Sequence, residues 1–146
     1  MRLIAGPTAG GKSALALDLA RRTGGVIVNA DALQLYSDLR VLTARPSEAE
    51  EATAPHRLYG VADAADGWSV GRWQRAALEV LDALRNEGRP AILTGGTGLY
   101  FLSLTRGLAE IPNVAAQVRT DTAALWDELG EPEFRARLAE IGRAHV

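Results

Sequence analysis

The residues best suited to chemistry form a glycine-rich octapeptide close to the N-terminus. Gly6, Gly11, Lys12 and Ser13 occupy every fixed position of the pattern Gly-x-x-x-x-Gly-Lys-[Ser/Thr], and an apolar stretch precedes them. In such a loop the main-chain N–H groups turn inward on a phosphate, the lysine adds a full charge, and the hydroxyl can bind Mg²⁺. We therefore expect a phosphate-binding loop with Ser13 as a magnesium ligand, made of Gly6, Pro7, Thr8, Ala9, Gly10, Gly11, Lys12 and Ser13.

Lys12 is the only lysine of the chain, although arginine is frequent. A loop that closes over phosphates needs a slender point charge, for which the planar guanidinium of arginine is a poor substitute. The lone lysine therefore supports the interpretation of this segment as a phosphate-binding loop.

Two more polar residues follow apolar segments that are typical of strands. Ligands of open parallel sheets bind beyond the carboxyl ends of the strands, so Asp31 should face the phosphate loop. Its carboxylate can accept a proton from a nucleophile or hold magnesium, and an N-cap for the next turn explains it equally well. Thr97, in a second glycine-rich turn, can bond a phosphate or the reacting group, or can cap that turn.

These residues need a sheet to hold them. Apolar patterns predict strands at residues 3–5, 26–28, 58–61 and 91–93. They predict a helical turn at 33–36 and helices at residues 13–22, 70–86, 99–107, 113–129 and 132–139. This alternation predicts an α/β fold with a parallel sheet flanked by helices, as in P-loop NTPases.

Other polar and aromatic residues have structural explanations at this stage. His56 is expected to be structural or solvated, Trp73 to lie in the core, and Arg119 to lie on a solvated helix face. Residues 43–55 are expected to form a polar loop, in which a cluster of acidic side chains is solvated: Glu48, Glu50 and Glu51.

The composition is that of an ordinary globular protein, with 47% hydrophobic and 23% charged residues. The absence of cysteine excludes disulfides, thiolate zinc sites and thiol catalysis. A formal net charge of −2 provides no general attraction for nucleic acid, so an RNA contact needs a local patch. We expect a cytoplasmic monomer without a signal peptide or a membrane segment.

Several segments together resemble the tRNA dimethylallyltransferase family in order and spacing, over about residues 2 to 140. The phosphate loop is shared with many ATP-binding and other nucleotide-binding proteins, whereas the combination with the later segments is specific. The segments are Gly6 to Ser13, Asn29-Ala30-Asp31-Ala32-Leu33-Gln34-Leu35-Tyr36, Thr43-Ala44-Arg45-Pro46, Pro55-His56-Arg57-Leu58, Ser69-Val70-Gly71-Arg72-Trp73 and Gly95-Gly96-Thr97-Gly98-Leu99-Tyr100.

The resemblance implies transfer of a dimethylallyl group from dimethylallyl diphosphate to N6 of the adenosine beside the anticodon of tRNA. It implies that Thr8 to Ser13 hold the diphosphate, that Asp31 is the general base, and that Thr97 contacts the substrates. It implies tRNA contacts by Asp31, Ala32, Leu33, Gln34, Thr97 and Arg119. Ala32 stands where serine is common in the family, and Arg45 where lysine is more usual.

The resemblance also predicts how the chain is organised. Residues 1–110 would form the P-loop core, and residues 111–140 would begin a helical insertion that grips tRNA. Residues 141–146 can be encoded as ATC GGA AGA GCA CAC GTC, which resembles a common sequencing adapter. We therefore expect adapter read-through after a gene cut near Glu140. A natural short terminus is the alternative, and the coding DNA distinguishes the two.

Later segments of the family are absent from this sequence, so we expect this chain alone to bind diphosphate weakly and to transfer poorly or not at all. A P-loop small-molecule kinase is one alternative, although residues 43–66 contain no obvious arginine-bearing lid. A non-catalytic P-loop binding module is a second. An isopentenyltransferase that acts on free adenine nucleotides is a close third.

Overall fold

The computed structural model describes residues 1–109 and 114–143, which divide into two compact units, Met1–Leu108 and Ala109–Val146. The first unit contains a four-stranded parallel sheet in the order β1-β4-β2-β3. Its strands are β1 (Arg2–Ala5), β2 (Val26–Asn29), β3 (His56–Arg57) and β4 (Ala91–Gly95). The predicted α/β fold with a parallel sheet is confirmed.

The two central strands are buried along their whole length, as their near-continuous apolar sequences predict. Apolar clusters cover both faces of the sheet. One contains Trp73 and Leu84 of α3 (Val70–Asn86) and Tyr100 of α4 (Gly98–Arg106), and the other contains Ala16 and Ala20 of α1 (Lys12–Thr23). Because β1, β2 and β4 are parallel, their carboxyl ends lie at one edge of the sheet.

The predicted helices of the first unit are confirmed, and α3 has the predicted bounds. The hydroxyl of Ser69 caps α3 by accepting the N–H of Arg72 at 3.1 Å. Trp73 is fully buried, as predicted, and its ring stacks on Tyr100 with centroids 4.0 Å apart. The helical turn predicted at 33–36 is a short 3-10 helix, Leu33–Leu35.

Two predictions between residues 43 and 61 were wrong. The acidic segment is not a solvated loop but a helix, α2 (Glu48–Thr53), because Ser47 and Glu50 form a reciprocal capping box. The strand predicted at residues 58–61 lies earlier, as β3. Leu58 has a φ of 63°, which breaks the extended conformation while its side chain remains buried.

The second unit contains α5 (Ala116–Arg143), in which two helices meet at Gly130, with a φ of 70° and a ψ of 169°. The two predicted helices and the break between them are confirmed, although residue 113 lies outside the described residues. Residues 144–146, which belong to the suspected read-through, also lie outside the described residues. Among the described residues, no helix combines the length and apolarity needed to cross a membrane.

Candidate functional site

The phosphate loop connects β1 to α1 and is built by residues in the left-handed region. Ala9 has a φ of 61° and Gly11 a φ of 74°, and the N–H of Gly10 donates to the carbonyl of Pro7 at 3.2 Å. No side chain caps α1, so its first-turn N–H groups are left for a ligand. The Nζ of Lys12 donates to the carbonyl oxygen of Pro7 at 2.7 Å and lies beside that open helix end.

A cleft of about 290 Å³ opens next to this loop. Thr8, Lys12 and Ser13 form one wall of the cleft, and Asp31 lies in its lining together with the end of β4. The position expected for Asp31 from its place after β2 is therefore confirmed. Its role in catalysis remains a prediction. The other lining residues are Ala9, Leu33, Gln34, Leu42, Thr43, Ala44, Tyr59, Thr94, Gly95 and Gly96.

The carboxylate of Asp31 has one oxygen engaged and one oxygen without a protein donor among the hydrogen bonds of the described residues. Oδ1 accepts the N–H of Leu33 at 3.0 Å, although the N-cap position of the 3-10 helix is held by Ala32 and not by Asp31. Oδ2 lies beside Gly96, where an added Cβ would be 3.3 Å away. The bond to Leu33 uses only one of the two oxygens, so it is compatible with a catalytic role of Asp31, which remains a prediction.

Thr97 occupies the N-cap position of α4, but its side chain makes no capping hydrogen bond. Its hydroxyl accepts the N–H of Ala32 at 3.0 Å, and its own N–H donates to the carbonyl of Ala30 at 3.1 Å. Thr97 thus binds the segment that carries Asp31, and its hydroxyl proton remains available to a ligand. Of the two alternatives for Thr97, a cap made by its side chain is therefore wrong. Its contact with substrate remains a prediction.

The other residues assigned to tRNA contact have varied surroundings. Leu33 is exposed, and Ala32 is partly buried with its N–H used by Thr97. The amide of Gln34 donates to the carbonyls of Thr43 at 2.9 Å and Ala44 at 3.3 Å, so it holds the opposite wall of the cleft. Arg119 is exposed on α5, in the second unit.

Two residues of this region were missed by sequence reasoning. Asn29 is fully buried at the end of β2 and contacts the main chain of Asp31. The signal that could have indicated Asn29 is a polar residue at the end of an apolar stretch. Tyr59 lines the cleft, and burial raises the pKa of its phenol, which the charge of Asp31 raises further. No pattern indicated Tyr59, because β3 was predicted at its position.

His56 has the structural role expected for it. Its Nδ1 lies 2.8 Å from the carbonyl oxygen of Ala54, and its ring packs edge-on against Tyr59 with centroids 5.3 Å apart. These two rings, with Glu50, line a smaller cavity of about 80 Å³ beside Ser13.

The lining of the cleft suits a magnesium ion that is bound together with a diphosphate. The described residues contain no group of three or more His, Cys, Asp or Glu side chains that could hold a metal alone. Magnesium bound by one or two protein oxygens takes its other ligands from substrate phosphates and water. The hydroxyl of Ser13 in the lining of the cleft provides one such oxygen, so the residues fit an ion held mainly by a diphosphate.

The chain is similar to transferases of known sequence over nearly its whole length. It is 62% identical over 142 residues to the tRNA dimethylallyltransferase of Phenylobacterium zucineum (strain HLK1), covering 97% of this chain and 46% of the relative. It is 60% identical over 139 residues to that of Caulobacter sp. (strain K31), covering 95% and 45%. The chain therefore spans about half the length of the curated relatives it matches.

Solved structures have the same fold. The full-length tRNA isopentenylpyrophosphate transferase of Bacillus halodurans superposes with a TM-score of 0.71 at 28% identity, covering 96% of this chain and 47% of that one. A eukaryotic dimethylallyltransferase acting on tRNA superposes with a TM-score of 0.78 at 22% identity, covering 94% and 34%, and at that identity shows the fold alone.

The family model described as IPP transferase matches residues 34–145, which is most of the chain. This match includes the second wall of the cleft and β4, and the phosphate loop precedes it. The chain belongs to the IPP transferase family.

Proposed function

We propose that the protein to which this chain belongs transfers a dimethylallyl group from dimethylallyl diphosphate to N6 of the adenosine adjacent to the anticodon of tRNA. The observation that supports this most is the cleft in which a phosphate-binding loop and a carboxylate line the same space. A diphosphate leaving group needs the phosphate-binding loop, and a weakly nucleophilic amine benefits from the carboxylate. The names of the relatives and the family match agree with this reaction.

The loop would act on the leaving group. Negative charge develops on the diphosphate as the C–O bond to the dimethylallyl group breaks, and fixed donors stabilise that charge in the transition state. The uncapped first turn of α1 and the ammonium of Lys12 are such donors. When it is bound, Mg²⁺ would neutralise further phosphate charge, held by the Ser13 hydroxyl.

Asp31 would act on the acceptor. As N6 forms its bond to the dimethylallyl carbon, the carboxylate accepts the proton that the amine loses. Ala32, Leu33, Gln34 and Thr97 would contact the tRNA around this carboxylate, and Arg119 would contact it from α5. We infer that the protein works as a monomer in the cytoplasm, where tRNA is available.

A transfer assay with two acceptors and a control without acceptor tests the proposal. The samples are this chain, a chimera in which its residues 1–140 replace the matching half of the Phenylobacterium relative, and that relative unmodified as the positive control. Dimethylallyl diphosphate is supplied with tRNA, with AMP or with no acceptor. We expect the chimera to modify tRNA and this chain alone to transfer poorly.

Each other outcome contradicts the proposal in a different way. Transfer to AMP in preference to tRNA would indicate an enzyme of free adenine nucleotides. ATP binding with release of phosphate by this chain would favour a small-molecule kinase. Diphosphate binding without transfer by the chimera, while the relative remains active, would indicate a binding module.

A further inference from the structure

Asn29 joins three parts of the fold through its buried carboxamide. Its Nδ2 donates to the carbonyl of Asp31 and to the carbonyl of Leu58, each at 2.9 Å, and its Oδ1 accepts the N–H of Asp31 at 2.8 Å. Its main-chain carbonyl accepts the indole N–H of Trp73 at 3.0 Å. With no exposed surface, every side-chain donor of this residue is used inside the protein.

Two of these bonds hold the main chain of Asp31 on both sides of its Cα. The N–H and the carbonyl of one residue are bound by one rigid amide, so rotation of the Asp31 backbone would break at least one bond. The carbonyl of Leu58 reaches Asn29 from a left-handed residue with a φ of 63°. That conformation is rare for leucine. The hydrogen bond from Asn29 to the Leu58 carbonyl helps to hold Leu58 in it.

The opposite side of the same segment is held by the turn after β4. The Thr97 hydroxyl accepts the N–H of Ala32, and a Cβ at Gly95 would collide with the main chain of Ala30. Glycine is therefore required at position 95 for β4 and the Asp31 segment to lie this close. Asn29 therefore holds Asp31 itself, while Thr97 holds Ala30 and Ala32, the residues on either side of it.

We propose that Asn29 is a positioning residue for the transfer reaction, which holds the main chain of Asp31 so that Oδ2 meets the acceptor amine. This rests on the proposed function. The nitrogen forms its bond to the dimethylallyl carbon while the C–O bond breaks and its electron pair leaves with the diphosphate. The proton of the amine passes to Oδ2, since Oδ1 is already bound to the N–H of Leu33. Asn29 itself touches no substrate.

Replacement of Asn29 by alanine and by serine separates positioning from general support of the fold. Serine and alanine create nearly the same loss of volume, but a serine hydroxyl can still accept the N–H two residues later, as weaker side-chain turns do. We expect kcat of the chimera to follow the order Asn, Ser, Ala. Alanine should lower kcat about tenfold to a hundredfold, the range for a displaced catalytic group. The KM for dimethylallyl diphosphate should not change, because the phosphate loop is untouched.

Ser103→Ala is the matched control. Ser103 is also buried and polar, and its hydroxyl donates to the carbonyl of Tyr100 at 2.8 Å outside the cleft lining. We expect this variant to lose stability without changing the kcat of the folded protein. Equal kcat in wild type and Asn29→Ala, or equal losses in the serine and alanine variants, would overturn the proposal.

Amide hydrogen exchange of the 146-residue chain provides a measurement that does not depend on activity. We expect Asn29→Ala to accelerate exchange at Asp31 and Ala32, and to do so more than Asn29→Ser, while the amides of Ile92 and Leu93 keep their protection. Uniform acceleration, or none at Asp31, would contradict a local clamp. If the wild-type chimera does not transfer, the proposed function fails, and the exchange data alone decide whether Asn29 holds Asp31.

Discussion

The helices of the first unit begin in two different ways. Serine side chains cap α2 and α3, and both lie outside the phosphate loop and the turn after β4. No side chain caps α1 or α4, the helices that follow β1 and β4 at the carboxyl edge of the sheet. A helix end without a cap leaves N–H groups that need another partner. The difference separates helix ends that support the fold from ends that are open to a ligand.

Replacement of Lys12 by alanine tests the open end of α1 and should have the largest effect. Hydrogen bonds to charged groups contribute about 1.5–3 kcal/mol, so the affinity for inorganic pyrophosphate should fall about tenfold to a hundredfold. The free energy of unfolding should change little, since the bond from Lys12 to Pro7 is exposed. Titration calorimetry and denaturation of the 146-residue chain measure the two quantities.

Arg21→Ala is the control for that experiment. It removes the same charge from the exposed last turn of the same helix. We expect pyrophosphate affinity to be retained in this variant. Equal losses in both variants would show that overall charge, and not the loop, determines binding.

The capped helices also show what the sequence could predict. The bounds of α3 were predicted because an apolar face and a following glycine agree, and the serine cap seen in the structure acts in the same direction. The helix α2 was missed although Ser47 and Glu50 have the spacing of a capping box. Its polar composition, without an apolar face, suggested a loop. The strand β3 was misplaced because burial of Leu58 depends on a left-handed turn that no local pattern indicates.

The arrangement of residues at the carboxyl edge of the sheet could be predicted in part. The loop motif and the rule for parallel sheets brought Lys12 and Asp31 to the same cleft. The hydrogen bonds around Asp31 could not be predicted, because Asn29, Thr97 and Leu58 come from three segments that only the folded sheet brings together. Contacts between distant segments carry no periodic signal.

Replacement of Ser69 by alanine tests a capped helix end. Unlike Lys12→Ala, it should lower stability and leave pyrophosphate affinity unchanged, and the effect should be smaller. Loss of an N-cap costs about 1 kcal/mol of stability, so the free energy of unfolding should fall by about that amount. Pyrophosphate affinity should be that of wild type, because Ser69 caps α3 and not the loop. Denaturation and calorimetry of this variant beside Lys12→Ala should give opposite patterns. A large loss of affinity in Ser69→Ala would contradict the comparison.

Replacement of Glu50 by glutamine should have the smallest effect, a loss of stability that depends on pH. The N–H of Ser47, and then its hydroxyl, lower the pKa of the Glu50 carboxyl from its ordinary value of 4.5. A lowered pKa stabilises the fold above the ordinary value, and that stabilisation is lost as pH falls through the lowered pKa. Glutamine can keep the capping bond without the charge. Urea denaturation should therefore show Glu50→Gln less stable than wild type near neutral pH, with the difference disappearing in acid. A difference that persists unchanged into acid would show that the charge of Glu50 does not stabilise this capped end.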